Sequence, residues 1–186
     1  MSHSYLKLLK NDWVPQIVKA IFLARDNLRI PIVYNTGGYD SLQTLKLLDG
    51  IVDIYMPDIK YSSDKIGLKY SLVKDYWTQV SQAIVEMHQQ VGDLIIENGL
   101  AKKGLLIRHL VLPNNLSGTK KIMRFLAQKI SENTYVNLMD QYYPTNKAYL
   151  YHELSRRITP QEFEEAVRLA QDCGLQRLAH LERENL

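Results

Sequence analysis

Four apolar stretches of the chain each run into side chains able to hold a charged ligand or move a proton. Asn35-Thr36-Gly37-Gly38 follows the first and Met56-Pro57-Asp58-Ile59-Lys60 the second. Arg108, His109 and Pro113-Asn114-Asn115 lie at or after the third, and Asp140-Gln141-Tyr142-Tyr143 after the fourth. Parallel strands would bring these exits to one end of a sheet, the end at which α/β folds carry their ligands. An amide and hydroxyl turn, a carboxylate beside a lysine, and an arginine on a strand together suit a zwitterionic or anionic small molecule.

Taken singly, each piece also has a structural explanation. The Asn35–Gly38 turn lacks the G-x-G-x-x-G spacing and the lysine of a phosphate loop, and a turn needing glycine at positive φ accounts for it equally. Asp58 and Lys60 alternate with Ile59 and can simply point one way off a strand end. His109 is either a core histidine or a site residue. His88, His152 and His180 fall on helices or their flanks without a partner at metal-ligand spacing, which places them at the surface. The chain has no Ser-His-Asp order, H-E-x-x-H or G-x-S-x-G, so hydrolase and zinc-protease readings find little support.

The elements that must position these groups follow from periodicity. Val14, Ile17, Ile21 and Phe22 share a helical stripe within residues 13–28. Residues 30–35 read as a buried strand, and Asp40 is a candidate N-cap for a helix over 41–50 that carries Leu42, Leu45 and Leu48 on one side. A second strand over 51–58 leads into a polar loop, residues 61–71. Val73, Trp77, Val80, Ile84 and Met87 then mark a helix over about 71–91, ended by Gly92 or Gly99. Residues 104–113 form the third strand, 118–130 the next helix, and 134–144 the fourth strand. Thr159, Pro160 and Glu162 specify the start of the last helix as N-cap, first helical residue and capping-box partner. Strands separated by helices, with all-apolar middles, argue for parallel βαβ units. Four strands are too few to close an eight-stranded barrel, so the expectation is a small open α/β sheet or part of a larger barrel.

Composition narrows the class. The 186 residues are 46% apolar and 23% charged, enough apolar content to build a core for one domain or a large part of one. Lys and Arg number 23 against 20 Asp and Glu, and the basic residues are scattered as pairs such as Lys102-Lys103, Lys120-Lys121 and Arg156-Arg157. A nucleic-acid footprint wants a clustered stripe, so no nucleic acid is expected as a partner. No apolar run approaches the ~18 residues of a membrane span, and the N-terminus lacks a signal-peptide core. The expectation is a cytoplasmic protein with no membrane partner. Cys173 is the one cysteine, read as a small buried hydrophobe near the end of the last helix. It excludes an internal disulfide and any metal site that takes three or four thiolates from this chain.

Five ordered blocks carry a more specific signal: "YNTGGYDSLQTLKLLDGIVDIYMPDIKY", "MHQQVGDL", "GLLIRHLVLP", "YVNLMDQYYP" and "RRITPQEFEEA". Together they resemble the pyruvate formate-lyase activating enzyme-like branch of radical S-adenosylmethionine (radical SAM) proteins, most of all its uncharacterised iron-sulfur members. The resemblance covers about residues 13–178. It implies a partial (βα)6-type barrel in which a [4Fe-4S] cluster, held by a C-x3-C-x2-C loop, cleaves S-adenosylmethionine to a 5′-deoxyadenosyl radical. It places Asn35 and Thr36 near the methionine carboxylate and an associated monovalent cation, with asparagine at 35 where the activases have aspartate, one negative charge fewer. Met56 and Asp58 match the second-strand contributors to the same site, with Lys60 beside them. Arg108 matches the family's arginine strand, and Gln141 and Tyr142 stand where activases place a cofactor-contacting histidine.

Residues 1–12 stand where the family would already be midway through its barrel, so the resemblance implies a single incomplete α/β domain over 1–186, truncated at the N-terminal side. The cysteine loop and the Gly-Gly-Glu turn that grips the methionine amine have no counterpart. The expected function is therefore the C-terminal part of a radical SAM protein, supplying cofactor-facing and substrate-facing walls without cluster ligands and inactive alone. Its partner would be a separate N-terminal half, or a second copy meeting it through an open barrel edge. The alternative is a non-catalytic protein, binding or regulatory, that holds a nucleoside or S-adenosylmethionine. A third reading, a small phosphate or sugar enzyme, has only Asp58, Lys60 and His109 for its acid-base work. No catalytic residue is assigned.

Overall fold

The computed structural model describes residues 14–24 and 26–179. Expectations for residues 1–12, Trp13 and His180 lie outside the described residues. The order of elements is α1 (Val14–Ala24), β1 (Val33–Thr36), α2 (Leu42–Leu48), β2 (Ile54–Ile59), α3 (Asp64–Ser71), α4 (Tyr76–Val91), β3 (Ile95–Glu97), β4 (Leu100–Leu110), α5 (Thr119–Phe125), β5 (Tyr135–Met139) and α6 (Pro160–Asp172). The strands form one five-stranded sheet in the order β1-β2-β4-β3, with β5 also paired to β4. β1 and β2 run parallel, Val33 opposite Ile54 and Thr36 opposite Pro57. Among the described residues, no helix is long and apolar enough to cross a membrane.

Contacts divide the chain into two compact units. Among the described residues, one comprises those of 14–57 and 79–106, the other 58–78 and 107–179. In the first, Leu45, Leu48, Tyr55, Val80, Ala83, Ile84, Met87 and Leu105 are fully buried or nearly so. In the second, Ile59, Ile107, Ile122, Met123, Leu126, Val136, Leu175 and Leu178 form the core, and α5 packs on α6. α5 continues through a wider turn of helix over Leu126–Ile130, which carries it to the boundary expected from the sequence.

Several local expectations are corrected. The N-cap of α2 is Ser41, whose hydroxyl accepts the Thr44 N–H at 3.1 Å, while Asp40 faces inward. Residues 61–71 are no loop. Ser63 caps the helix α3, and Leu72 closes it at φ 56°. A fifth strand, β3, makes an antiparallel hairpin with β4 through Asn98 and Gly99, both at positive φ, and α4 ends at Gly92. Asn-Gly between extended runs is a hairpin signal that the helical reading of the preceding segment overrode. Phe22, expected on the core stripe of α1, is 60% exposed, although Val14 on that stripe is buried. The capping box of α6 forms as expected, with Thr159 and Glu162 exchanging bonds.

Gly104 lets β4 approach the backbone at Asp53, Asp93 and Leu94 closely. Its φ is +119°, its N–H donates to the Asp53 carbonyl at 2.8 Å, and a Cβ there would collide with the Asp93 carbonyl and the Leu94 backbone. Any side chain must therefore push backbone apart as well as adopt a strained φ. Gly104→Ala should lower the urea unfolding free energy by about 2–3 kcal/mol, whereas Gly50→Ala, with open space around it, should cost less. Equal losses for both would contradict this account.

Candidate functional site

The first exit closes on itself. Asp40, buried beneath the turn that ends β1, accepts the Tyr34 hydroxyl at 2.8 Å and the Thr36 hydroxyl at 2.6 Å. Thr36 Oγ1 in turn accepts the Gly38 N–H at 3.2 Å. Burial raises the Asp40 carboxyl above its ordinary range, against the pull of its two hydrogen bonds, and raises the Tyr34 phenol as well. With its proton spent on Asp40, the Thr36 hydroxyl can meet a ligand only as an acceptor. Asn35 sits opposite Met56 in the β1–β2 register, and both are half-buried.

In the second unit the ends of β2 and β4 bring three sequence-selected groups together. Arg108 donates to Asp58 Oδ1 through Nε at 2.7 Å and Nη2 at 2.6 Å, and Lys60 Nζ lies 3.9 Å from Asp58 Oδ2. Two cations around one carboxylate leave a net positive charge. The Lys60 side chain is 42% exposed, that of Asp58 only 16%. Such a set has the chemistry to pair with an anionic group, and Asp58 orients the guanidinium.

Neighbouring residues are excluded by strand parity. Ile107 and His109 are buried while Arg108 between them is half-exposed, so Arg108 and His109 face opposite sides of β4. His109 Nδ1 donates to the Ile59 carbonyl at 2.8 Å, since a carbonyl can only accept, and Nε2 lies 3.0 Å from Thr119 Oγ1, whose proton it takes as acceptor. Complete burial holds the imidazole neutral, its pKa pulled down to about 4. It is a satisfied core histidine and leaves the list of acid-base candidates.

Other selected residues are less central. Asn114 adopts φ 57°, donates its N–H to Glu162 at 2.7 Å and its side-chain amide to the Glu153 carbonyl at 3.0 Å, and accepts from Arg156 at 2.9 Å. It fastens the loop after β4 to the start of α6. Gln141 is exposed, its amide 3.7 Å from the Met139 sulfur, and Tyr142 donates to the Leu154 carbonyl at 2.8 Å. His88 Nε2 lies 3.0 Å from Asp93 Oδ1, and His152 is exposed as expected. Cys173 is half-buried at the C-cap of α6, less enclosed than expected.

The sequence reading missed the inward carboxylate of Asp40 and the pairing of Tyr70 of α3 with Glu153. Ser41 was the signal for the first. Once the next residue can cap, Asp40 is free to serve Tyr34 and Thr36. No local signal ties Tyr70 to Glu153, 83 positions away.

No protein-family model matches the chain. An uncharacterized protein of Methanocaldococcus jannaschii is 36% identical over 149 residues, covering 78% of this chain and 39% of that protein, so the chain spans well under half of its relative's length. A crystal structure of a domain of pyruvate-formate lyase-activating enzyme from Bacteroides vulgatus matches with a TM-score of 0.64 at 10% identity, over 94% of this chain and 97% of that one. At such identity the likeness establishes the fold. The chain has the α/β architecture of that domain, consistent with the partial barrel expected from the sequence.

The neutral His109 gives the stability a defined pH dependence. Its folded pKa lies below the ordinary 6.5, so as pH falls from about 6.5 towards 4 the unfolded chain takes up a proton that the folded one refuses. Stability is unaffected by this group above that window and falls within it, by at most about 1.4 kcal/mol per pH unit. Urea unfolding across pH 4–7 should show a shallower slope for His109→Gln than for the wild type, whereas coincident slopes would assign the acid sensitivity elsewhere.

Proposed function

We propose that the chain is part of a radical SAM domain of the pyruvate formate-lyase activating type, a single incomplete domain that supplies cofactor-facing and substrate-facing strand ends and is inactive alone. The observation that supports this best is the cluster of Asp58, Lys60 and Arg108 at the ends of β2 and β4, whose surplus positive charge suits the methionine carboxylate of S-adenosylmethionine. The alignment of the chain with an activating-enzyme domain agrees with it. Gln141 and Tyr142 are proposed to line the same part of the second unit. Asn35, Thr36 and Met56 of the first unit retain, as a separate proposal, the cofactor-contacting role that the resemblance gives them.

The cluster is another matter. A [4Fe-4S] group takes thiolate ligands, and Cys173 is the one cysteine in the sequence. Among the described residues no three His, Cys, Asp or Glu side chains gather to hold a metal. These residues do not fit the cluster, and no step through it is assigned to them. The thiolates would have to come from a partner chain in the cytoplasm or from sequence beyond these residues. The same mismatch favours a second reading, a non-catalytic protein that binds S-adenosylmethionine or a nucleoside. Co-expression with a segment bearing C-x3-C-x2-C separates the two: iron and sulfide retained in a co-purified complex support the split enzyme, and their absence supports the binding protein.

The second reading requires the isolated chain to bind the ligand. Calorimetric titration with S-adenosylhomocysteine should give saturable binding, weakened at least about tenfold, or roughly 1.4 kcal/mol, by Asp58→Ala, which releases Arg108 from its orientation. A folded wild-type protein that gives no saturable heat would reject the binding protein and leave the split enzyme to the co-expression test. A variant that binds as tightly as wild type would move the site away from β2 and β4.

A further inference from the structure

The second unit also contains a cavity of about 550 Å3 that the cofactor reading does not explain, between α3 and the short turns at Asn146–Leu150 and His152–Leu154. Its volume is that of a small-molecule site. Four tyrosines line it, Tyr61, Tyr70, Tyr142 and Tyr151. Each phenolic oxygen is already engaged within the protein. Tyr61 bonds Ser71 Oγ at 2.9 Å, Tyr70 donates to Glu153 at 2.6 Å, Tyr142 to the Leu154 carbonyl at 2.8 Å and Tyr151 to the Lys69 carbonyl at 3.2 Å. The hydroxyls therefore pin the rings, and the rings are what remains to offer a ligand. Tyr70 and Tyr151 already meet edge to face, with centroids 5.0 Å apart. A planar aromatic guest can extend that arrangement with little loss of side-chain freedom.

The charge of the lining indicates the guest's polar group. An aromatic cage ordinarily attracts a cation, but here the protein supplies its own. Lys69 Nζ sits 4.7 Å from the Tyr70 ring centroid and is held by Glu153 at 2.6 Å. Hydrogen bonds from Lys69 and Tyr70 keep Glu153 ionised, its pKa drawn down to about 2, so that pair is neutral as a whole. Among the described residues no Asp or Glu lines the cavity. Lys147 does, exposed and without an ion-pair partner among the described residues. The rim carries Leu72 and Leu150, 78% and 77% exposed, apolar surface that a bound ring would cover.

We propose that this cavity binds a planar aromatic carboxylate, its ring among the tyrosines and its carboxylate on Lys147. The proposal goes beyond the cofactor reading and does not rest on it, although Tyr142 figures in both. Indole-3-acetate is a suitable probe, followed by calorimetry and by saturation-transfer NMR on the full chain. Wild type should bind it saturably, at least tenfold more tightly than cyclohexylacetate, which has the charge without the plane, or tryptamine, which has the ring with the opposite charge. Lys147→Gln, a change at an exposed position, should weaken binding at least tenfold, and Tyr151→Leu should do the same with the circular dichroism melt as a check on folding. Four results would overturn the proposal: no saturation, equal binding of cyclohexylacetate, a preference for tryptamine, or full affinity in Lys147→Gln. Displacement of indole-3-acetate by S-adenosylhomocysteine would do so as well, by assigning the cavity to the cofactor. A cofactor that binds without displacing the probe leaves both proposals standing, and a failed cofactor titration leaves this one intact.

Discussion

Successive side chains of a strand point to opposite faces, and along β4 this alternation separates core from site. Leu105, Ile107 and His109 go inward; Arg108, between the last two, comes out against Asp58. A slip of one residue would bury a guanidinium and expose an isoleucine, so the hydrophobic set of β4 enforces the register that delivers the arginine. β2 obeys the same rule, with Ile59 fully buried while Asp58 before it keeps partial access to water. The charged triplet thus depends on the apolar residues flanking it as much as on its own attraction.

A second constraint follows from the first: whatever polar group is carried inward must find a partner there. His109 does so with a carbonyl on one nitrogen and a hydroxyl on the other, which also fixes its tautomer. Asp40 does so with Tyr34 and Thr36, and this ties up the hydroxyl that the resemblance would offer to a ligand. At the exposed start of α6, Arg156 holds the Glu162 carboxyl down at about 2, and Glu162 accepts the Asn114 N–H, which fastens the loop after β4. Polar residues that look functional at a strand exit are thus often occupied in closing the exit itself, and what distinguishes Asp58, Lys60 and Arg108 is that two cations gather on one carboxylate.

Local pattern was a good guide where one segment settles its own conformation. The capping box at Thr159, the glycine end of α4 and the helix through residue 130 follow from residues a few positions apart. It misled where two local signals competed. Asp40 and Ser41 can both cap α2, and the hydroxyls of Tyr34 and Thr36, which hold the buried Asp40 carboxylate, leave the cap to Ser41. In residues 61–71 the polar composition hid a helix whose buried contacts come from elsewhere in the chain, such as Gly67 against Tyr76. The Asn98-Gly99 turn was present to be read, but the apolar residues before it fit the preceding helix equally well.

For the candidate site the division is similar. Periodicity and the ordered motif blocks determined the α/β class, the strand exits and the choice of Asp58, Lys60 and Arg108 among a wider set of strand-exit residues. Tertiary structure decided that His109 belongs to the core, that the Thr36 proton is already committed, and that four tyrosines scattered between positions 61 and 151 line one cavity. The physical reason is range. Backbone preference and hydrophobic period act over a few residues and are written in the local order of side chains. Burial, hydrogen-bond partnership and the charge remaining after pairing depend on residues that only the folded chain brings within reach.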